Sequence, residues 1–339
     1  MTDELNSYCL FGAEALRQRL PALNVQLAGV RSADDIEAVH QMRVATRRLR
    51  AAFALFAYCL PNKRGEEWQR EIKRITQALG AARDTDVQFD WLRKFLAKSS
   101  DPAWQPGINR LLLRLYQQRQ RLQIKVVQAL DRLEASRTLD DLGTHLRDQV
   151  VQARLASVDP FAPEVYARAA ESIRLRLEEF LAYDVYVYQP EHSTELHAMR
   201  IAAKHLRYTL EIFAELYKDN LKQPLKVVKD MQELLGNLHD NDVWIAFVPQ
   251  FMLEERARTA DYFGVDTYAD RFVPGLLALQ ADRQQQRQKC YADFVKAWER
   301  ALADDVWNKL RERITVEAVI PPPIDPAATP TDTPSAPQQ

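Results

Sequence analysis

Glycine is scarce in this chain, at nine in 339 residues. Sheet-rich folds with many tight turns need more of it. The scarcity also leaves no glycine-rich phosphate loop, so dinucleotide fingerprints and Walker-type motifs are excluded. Cysteine is scarcer still. Cys9, Cys59 and Cys290 lie far apart with no CxxC or Cys/His spacing, so the expectation is small packed thiols in a reducing cytoplasm. Long apolar runs are missing too. The most apolar stretch, Ala51 to Leu60, is too short to span a bilayer, and the acidic opening MTDELNSYCLFG lacks a signal-peptide n-region. No membrane association is expected. Finally, charge of one sign is absent: 46 basic and 47 acidic residues leave a net charge of −1. Non-specific nucleic-acid binders usually carry a large positive excess, so any basic site here must be a local patch.

What is present is helix-favouring and repetitive. Long stretches of Leu, Ala, Arg, Gln and Glu favour helix by propensity, and the expected class is all-α. The segment HQMRVATRRLR (His40–Arg50) recurs as HAMRIAAKHLR (His197–Arg207), 157 residues further on. Upstream, EALRQRL answers ESIRLRL; downstream, ALGAARDTDV answers LLGNLHDNDV and QQRQR answers QQRQK, in the same order. The last offset is longer, which implies about a dozen extra residues in the second copy. Two pseudo-symmetric four-helix bundles from an internal duplication are therefore expected. Residues 1–135 form the first repeat, 136–160 a connecting helix and linker, 161–314 the second repeat, and 315–339 a disordered tail. Seven of the 17 prolines lie between Pro321 and the C-terminus.

Within each copy four helices are expected: roughly Asp3–Ala28, Asp34–Leu60, Lys63–Lys98 and Ile108–Leu133, then Pro163–Tyr183, Ser193–Tyr217, Leu221–Phe251 and Pro274–Ala303. The third is expected to break near Gly80 and Gly236. A joining helix is expected over Thr138–Leu155, and Ser32 with Asp35 reads as an N-cap with an acidic N3.

On a helical wheel, His40, Arg43, Arg47 and Arg50 form one strip, while Met42, Leu49, Phe53 and Phe56 form an opposed apolar seam. His197, Arg200, Lys204 and Arg207 repeat the strip, with Met199, Leu206, Leu210 and Phe213 as the seam. An ordinary solvated face balances its cations with acids one turn away. Neither eleven-residue segment contains Asp or Glu, so an external anion or acidic groups elsewhere must compensate. His40 to Arg50 spans about 15 Å of helix, which suits an extended polyanion gripped by forked guanidiniums. A phosphate chain beside them would favour protonation of His40 and His197. Lys73 and Lys229, at equivalent positions on the third helices, are added as candidate contacts.

The pair VHQMRVATRRLR and LHAMRIAAKHLRY, each followed by LGxx[RH]DxDV, resembles the CHAD domain. The resemblance covers roughly residues 1–310. It implies a duplicated helical fold that binds inorganic polyphosphate, with association to cytoplasmic polyphosphate granules and granule proteins as partners. The implied contacts are His40, Arg43, Arg47, Arg50, His197, Arg200, Lys204 and Arg207. Lys204 stands where the first copy has an arginine, keeping the charge and losing the fork. No catalytic residues, cofactor or metal are expected. His239-Asp240 with Asp242 suggests an HD-type metal site, but Arg83-Asp84 fills the equivalent position in the first copy and an arginine cannot ligate; these acids instead cap helices or orient arginines. The remaining alternatives are nucleic-acid binding, disfavoured because the strips carry no aromatics for base stacking, and a scaffold for acidic protein partners.

Overall fold

The computed structural model describes residues 6–32 and 36–319, and among these every regular element is helical. The helices are α1 (Ser7–Arg19), α2 (Pro21–Asn24), α3 (Leu27–Ser32), α4 (Ile36–Leu55), α5 (Asn62–Ala97), α6 (Gln105–Ala135), α7 (Thr138–Leu155), α8 (Pro163–Leu181), α9 (Ser193–Tyr217), α10 (Lys222–Phe263), α11 (Val273–Ala303) and α12 (Val306–Val319). Short 3₁₀ turns join several of them. The joining helix falls where the sequence put it. The expected first helix is instead three pieces, because Pro21 lacks an amide hydrogen and restarts the chain at the first position of α2. Asp3, Asp34 and Asp35 lie outside the described residues, and Ser32 closes α3, its hydroxyl donating to the Gly29 carbonyl. The tail is expected from residue 315, yet α12 continues through Val319; residues 320–339 lie outside the described ones.

The two seams are the centre of the molecule. Met42, Leu49, Phe53 and Phe56 of the first copy and Met199, Leu206, Leu210 and Phe213 of the second are all at most 1% exposed. Each such side chain stabilises by about 2–3 kcal/mol on burial. They share one cluster that also takes in Phe11, Phe180 and Trp298, and Phe213 touches both Phe11 and Phe56. A second cluster joins Leu92, Ile108, Leu111 and Leu115 to Trp244, Val248, Phe272 and Leu276. Both cores thus mix residues of the two halves. Buried Glu255 of α10 adds a polar tie, accepting from Arg110 and Arg114 of α6 and from Arg258.

Two expectations need correction. The third helices do not break: α5 runs through Gly80 and α10 through Gly236. These glycines make room for a neighbour. A methyl at Gly80 would lie 3.7 Å from Arg43 Nε, and one at Gly236 would lie 3.4 Å from Arg200 Nε. The same arginine of each copy crosses the same glycine. The thiols are corrected as well. Cys9 of α1 and Cys59, in the turn after α4, are bonded to each other. The fold brings their Cα atoms to 5.3 Å, within disulfide reach; sequence spacing alone could not show this. Cys290 alone is a free thiol, and the cysteine pattern no longer argues for a reducing compartment.

Another glycine pair has the opposite character. A methyl at Gly107 would collide with the Phe272 carbonyl oxygen, and one at Gly275 with the Trp104 carbonyl oxygen. The N-terminal turns of α6 and α11 cross there in reciprocal contact. Gly107→Ala or Gly275→Ala should therefore destabilise the fold by about 2 kcal/mol or more through overpacking against backbone. Gly80→Ala, which meets only ordinary van der Waals contact, should stabilise it by about 0.5–1 kcal/mol through helix propensity. Denaturant unfolding of the three variants followed by circular dichroism checks both signs.

Candidate functional site

Because the seams of α4 and α9 share one core, the cationic strips on the two helices are carried to the same side. They converge on one cleft. A cavity of about 430 Å³ is lined by Arg43, Arg47 and Arg50 of α4, Arg200, Lys204 and Tyr208 of α9, and Thr76, Gln77 and Gly80 of α5. Arg176 and His205 complete its charged wall, and no Asp or Glu lines it. A second cavity of about 570 Å³ adjoins it through Arg43 and Arg200, which line both. This larger one adds His40, Arg83 and Arg283 but also Asp84, Asp240, Trp91 and Trp244.

Acids relieve the strips from the side of the larger cavity, where Asp240 faces Arg200 and Arg43, and at the far end. Asp84 accepts from Arg43 at 3.3 Å. At the far end Glu211 accepts from Arg207 at 2.8 Å and from Arg48 at 3.2 Å. Arg176 is paired with Glu179. Between these points the cations are uncompensated. Burial and the repulsion of Arg47, Arg200, Arg50 and Arg43 push the Lys204 ammonium down to about 8. Burial, with Tyr208 pulling the other way and the neighbouring arginines adding, also lowers Arg47. His40 is lowered by desolvation and then by Arg83; His197 by desolvation and then by His239, on which it stacks at 3.9 Å between ring centroids. Both imidazoles thus start neutral in the free protein, and a bound anion has to overcome that before they contribute charge. Arg200 Nε and His197 Nδ1 are buried without a hydrogen-bond partner.

Of the ten candidate residues, Arg43, Arg47, Arg50, Arg200 and Lys204 share the acid-free cavity, and His40 lines the adjoining one. His197 lines neither and stacks instead on His239. Arg207 is engaged by Glu211 and by Gln232. Lys73 and Lys229 are exposed on α5 and α10 and line neither cavity; the cleft takes Thr76, Gly80 and Arg83, the next turns of α5. Sequence reasoning missed Arg83 and Arg283. The Tyr208 ring is 7% exposed, with the Arg47 and Arg207 guanidiniums 5.6 and 5.5 Å from its centroid. Arg283 had no signal in the repeat, since its partner position in the first copy is Leu115.

The RDxD and HDxD segments orient arginines. Asp86 accepts from Arg119 at 2.7 Å, and Asp242 accepts from Arg287, its counterpart. Capping is ruled out, because all four acids sit inside α5 and α10. Among the described residues no group of three or more His, Cys, Asp or Glu could hold a metal ion, and no helix is long and apolar enough to cross a membrane.

Comparison with known proteins agrees with this architecture. The CHAD-domain model matches residues 14–249. The chain belongs to the CHAD-domain family. It is 28% identical over 264 residues to an uncharacterised protein of Mycobacterium tuberculosis, found in two strains, covering 73% of this chain and 45% of that protein. The chain thus spans about half the length of the curated relatives it matches. Among solved structures it is similar to the CHAD domain from the plant Ricinus communis, with TM-score 0.60, 25% identity, and coverage of 85% of this chain and 92% of that one. PptA from Streptomyces chartreusis shares the fold, with TM-score 0.56, 16% identity, and coverage of 87% and 99%.

The depressed ammonium of Lys204 makes a pH prediction. An anion in the cleft restores the amine's proton, so it binds the protonated form better. Affinity should therefore be full below the free-protein value of about 8 and fall as pH rises through it, several-fold between about pH 7 and about pH 9. Titration calorimetry with pyrophosphate in buffers of different ionisation enthalpy should show proton uptake near pH 8, lost in Lys204→Met. A pH-independent affinity in the intact protein contradicts it.

Proposed function

We propose that this protein binds inorganic polyphosphate in the cleft between α4 and α9 and does not turn it over. The observation that carries the reading is the acid-free cavity into which both strips put their central cations: Arg43, Arg47 and Arg50 from one helix, Arg200 and Lys204 from the other. An extended chain with charge on every unit suits such a row. Each phosphoryl group offers oxygens to a guanidinium fork, and neighbouring cations lie within a Debye length of about 8 Å, so their potentials add. Arg43 and Arg200 line both cavities, so a polymer held in the smaller one can continue past them into the larger. The CHAD resemblance supports polyphosphate as the polymer. It also extends the reading to association with cytoplasmic polyphosphate granules and their proteins.

Nucleic acid offers the same backbone charges. Single-strand binders add exposed aromatic faces, and here the ring at the acid-free cavity, Tyr208, is 7% exposed and already engaged by the Arg47 and Arg207 guanidiniums. A scaffold for acidic peptides would tolerate the cavity but has no use for its enclosed middle, where Arg47 and Lys204 are half-buried.

Calorimetry with long-chain polyphosphate, single-stranded DNA and RNA tests the reading. Polyphosphate should bind most tightly, weaken steeply with salt through counterion release, and gain affinity with length until the cleft is filled. Arg47→Gln or Arg200→Gln should each weaken it by about ten- to a hundredfold, as expected for loss of a charged hydrogen-bonding group, and flatten the salt dependence by about one unit of slope. Lys73→Gln and Lys229→Gln should change affinity by less than about twofold. Equal or tighter binding of nucleic acid, or full affinity in the arginine variants, overturns it.

A further inference from the structure

Anion binding uses Lys204 as a charge, but its surroundings give the amine a second property. Lys204 is half-buried on α9. Facing it across the acid-free cavity are Arg43, Arg47 and Arg50 of α4, with Arg200 on its own helix. Arg176 of α8, His205 and Tyr208 are the other ionisable groups on that wall. Among the described residues no carboxylate pairs with Lys204; the acids nearby in the sequence, Glu179 and Glu211, already hold Arg176, Arg48 and Arg207. An arginine keeps its proton and grips phosphate without acting as a nucleophile. A lysine amine held near pKa 8 is different: in the unliganded cleft about a quarter of it is the free base at about pH 7.5, and although a bound anion draws the amine back toward its protonated form, the neutral fraction that remains is nucleophilic. The cavity therefore sets one nucleophilic nitrogen among several groups built to hold phosphate.

We propose that Lys204 is a site of acylation by small acyl phosphates. The reagent's phosphoryl group sits on the arginines, which brings its carbonyl carbon beside Lys204 Nζ. The neutral amine attacks that carbon. The C–N bond forms, the bond from carbon to the bridging phosphate oxygen breaks, and phosphate leaves with the electron pair. The nitrogen passes one proton to the departing phosphate, so amine and acyl phosphate become amide and hydrogen phosphate with no change of oxidation state. The amide carries no charge and occupies the middle of the cleft, so acylation weakens polyanion binding there. The inference rests on the cleft being an anion site and not on the anion being polyphosphate.

The test incubates the full chain with acetyl phosphate at about pH 7.5 and follows acetylation of each lysine by peptide mass spectrometry. Parallel samples contain a neutral acetylating ester, added inorganic phosphate, or added long-chain polyphosphate. With acetyl phosphate, Lys204 should react about tenfold faster than exposed lysines such as Lys222, which is 75% exposed. That preference should shrink with the neutral ester and disappear with inorganic phosphate, and Arg47→Gln should reduce it while leaving the other lysines unchanged. Rates at Lys204 no higher than at exposed lysines, or indifferent to inorganic phosphate, overturn the proposal. Protection by inorganic phosphate without protection by polyphosphate would instead overturn the polyphosphate reading and leave this one standing.

Discussion

The structure depends on one opposition: apolar seams that pull α4 and α9 together and cationic strips that push them apart. The eight seam residues are buried almost completely, and at about 2 kcal/mol or more each they hold the helices against the repulsion of the arginines beside them. That repulsion is visible in the groups that can respond to it. Burial first, and the arginines' repulsion after it, loosen the hold of Lys204 on its proton. Asp84 takes Arg43 where the two cavities meet and Glu211 takes Arg207 at the far end. The middle of the cleft stays positive because the core keeps it so, and an anion that enters stabilises an arrangement already assembled.

The same contacts occur twice. Arg43 crosses Gly80 as Arg200 crosses Gly236, Asp86 holds Arg119 as Asp242 holds Arg287, and Gly107 and Gly275 each meet the backbone entering the other's helix. Repetition of the glycine beneath the arginine matters most for the site. Each guanidinium lies close along the neighbouring helix there, with Arg43 Nε 3.7 Å and Arg200 Nε 3.4 Å from where a methyl would stand. The copies differ where chemistry would differ: Lys204 replaces the arginine corresponding to Arg47, and His239 replaces that corresponding to Arg83.

How much of this could be read from the sequence follows from what each feature depends on. The seams and strips are properties of a single helix, so the wheel separated them correctly, and the repeat located α7 and the counterpart residues. Features set between helices were hidden. Gly80 and Gly236 suggest breaks by local propensity, but the packing of α5 and α10 along their whole length overrides it. The Cys9–Cys59 bond requires that α1 lie beside the turn after α4. Lys73 and Lys229 share stripes with cleft residues, yet they stand one turn or more beyond the lined region, a distance no periodicity reports. His197 kept its angular place on the strip and still turned to stack on His239.

The two cavities are not equivalent, and this gives the cleft a direction. The smaller is lined by cations without acids, whereas the larger mixes Arg83, Arg283 and His40 with Asp84, Asp240 and two tryptophans. In the larger, Arg283 lies 3.7 Å over the face of Trp91, so part of its charge is already turned to an internal partner. Under the proposed function, a uniformly charged polymer would be held best between Arg50 and Arg200 and less well past Asp84. Arg43 and Arg200 stand at the junction and face both environments. They are the positions where a bound chain either ends or continues, and so the strength of the Arg43–Asp84 pair governs how much of the larger cavity an extended anion can use.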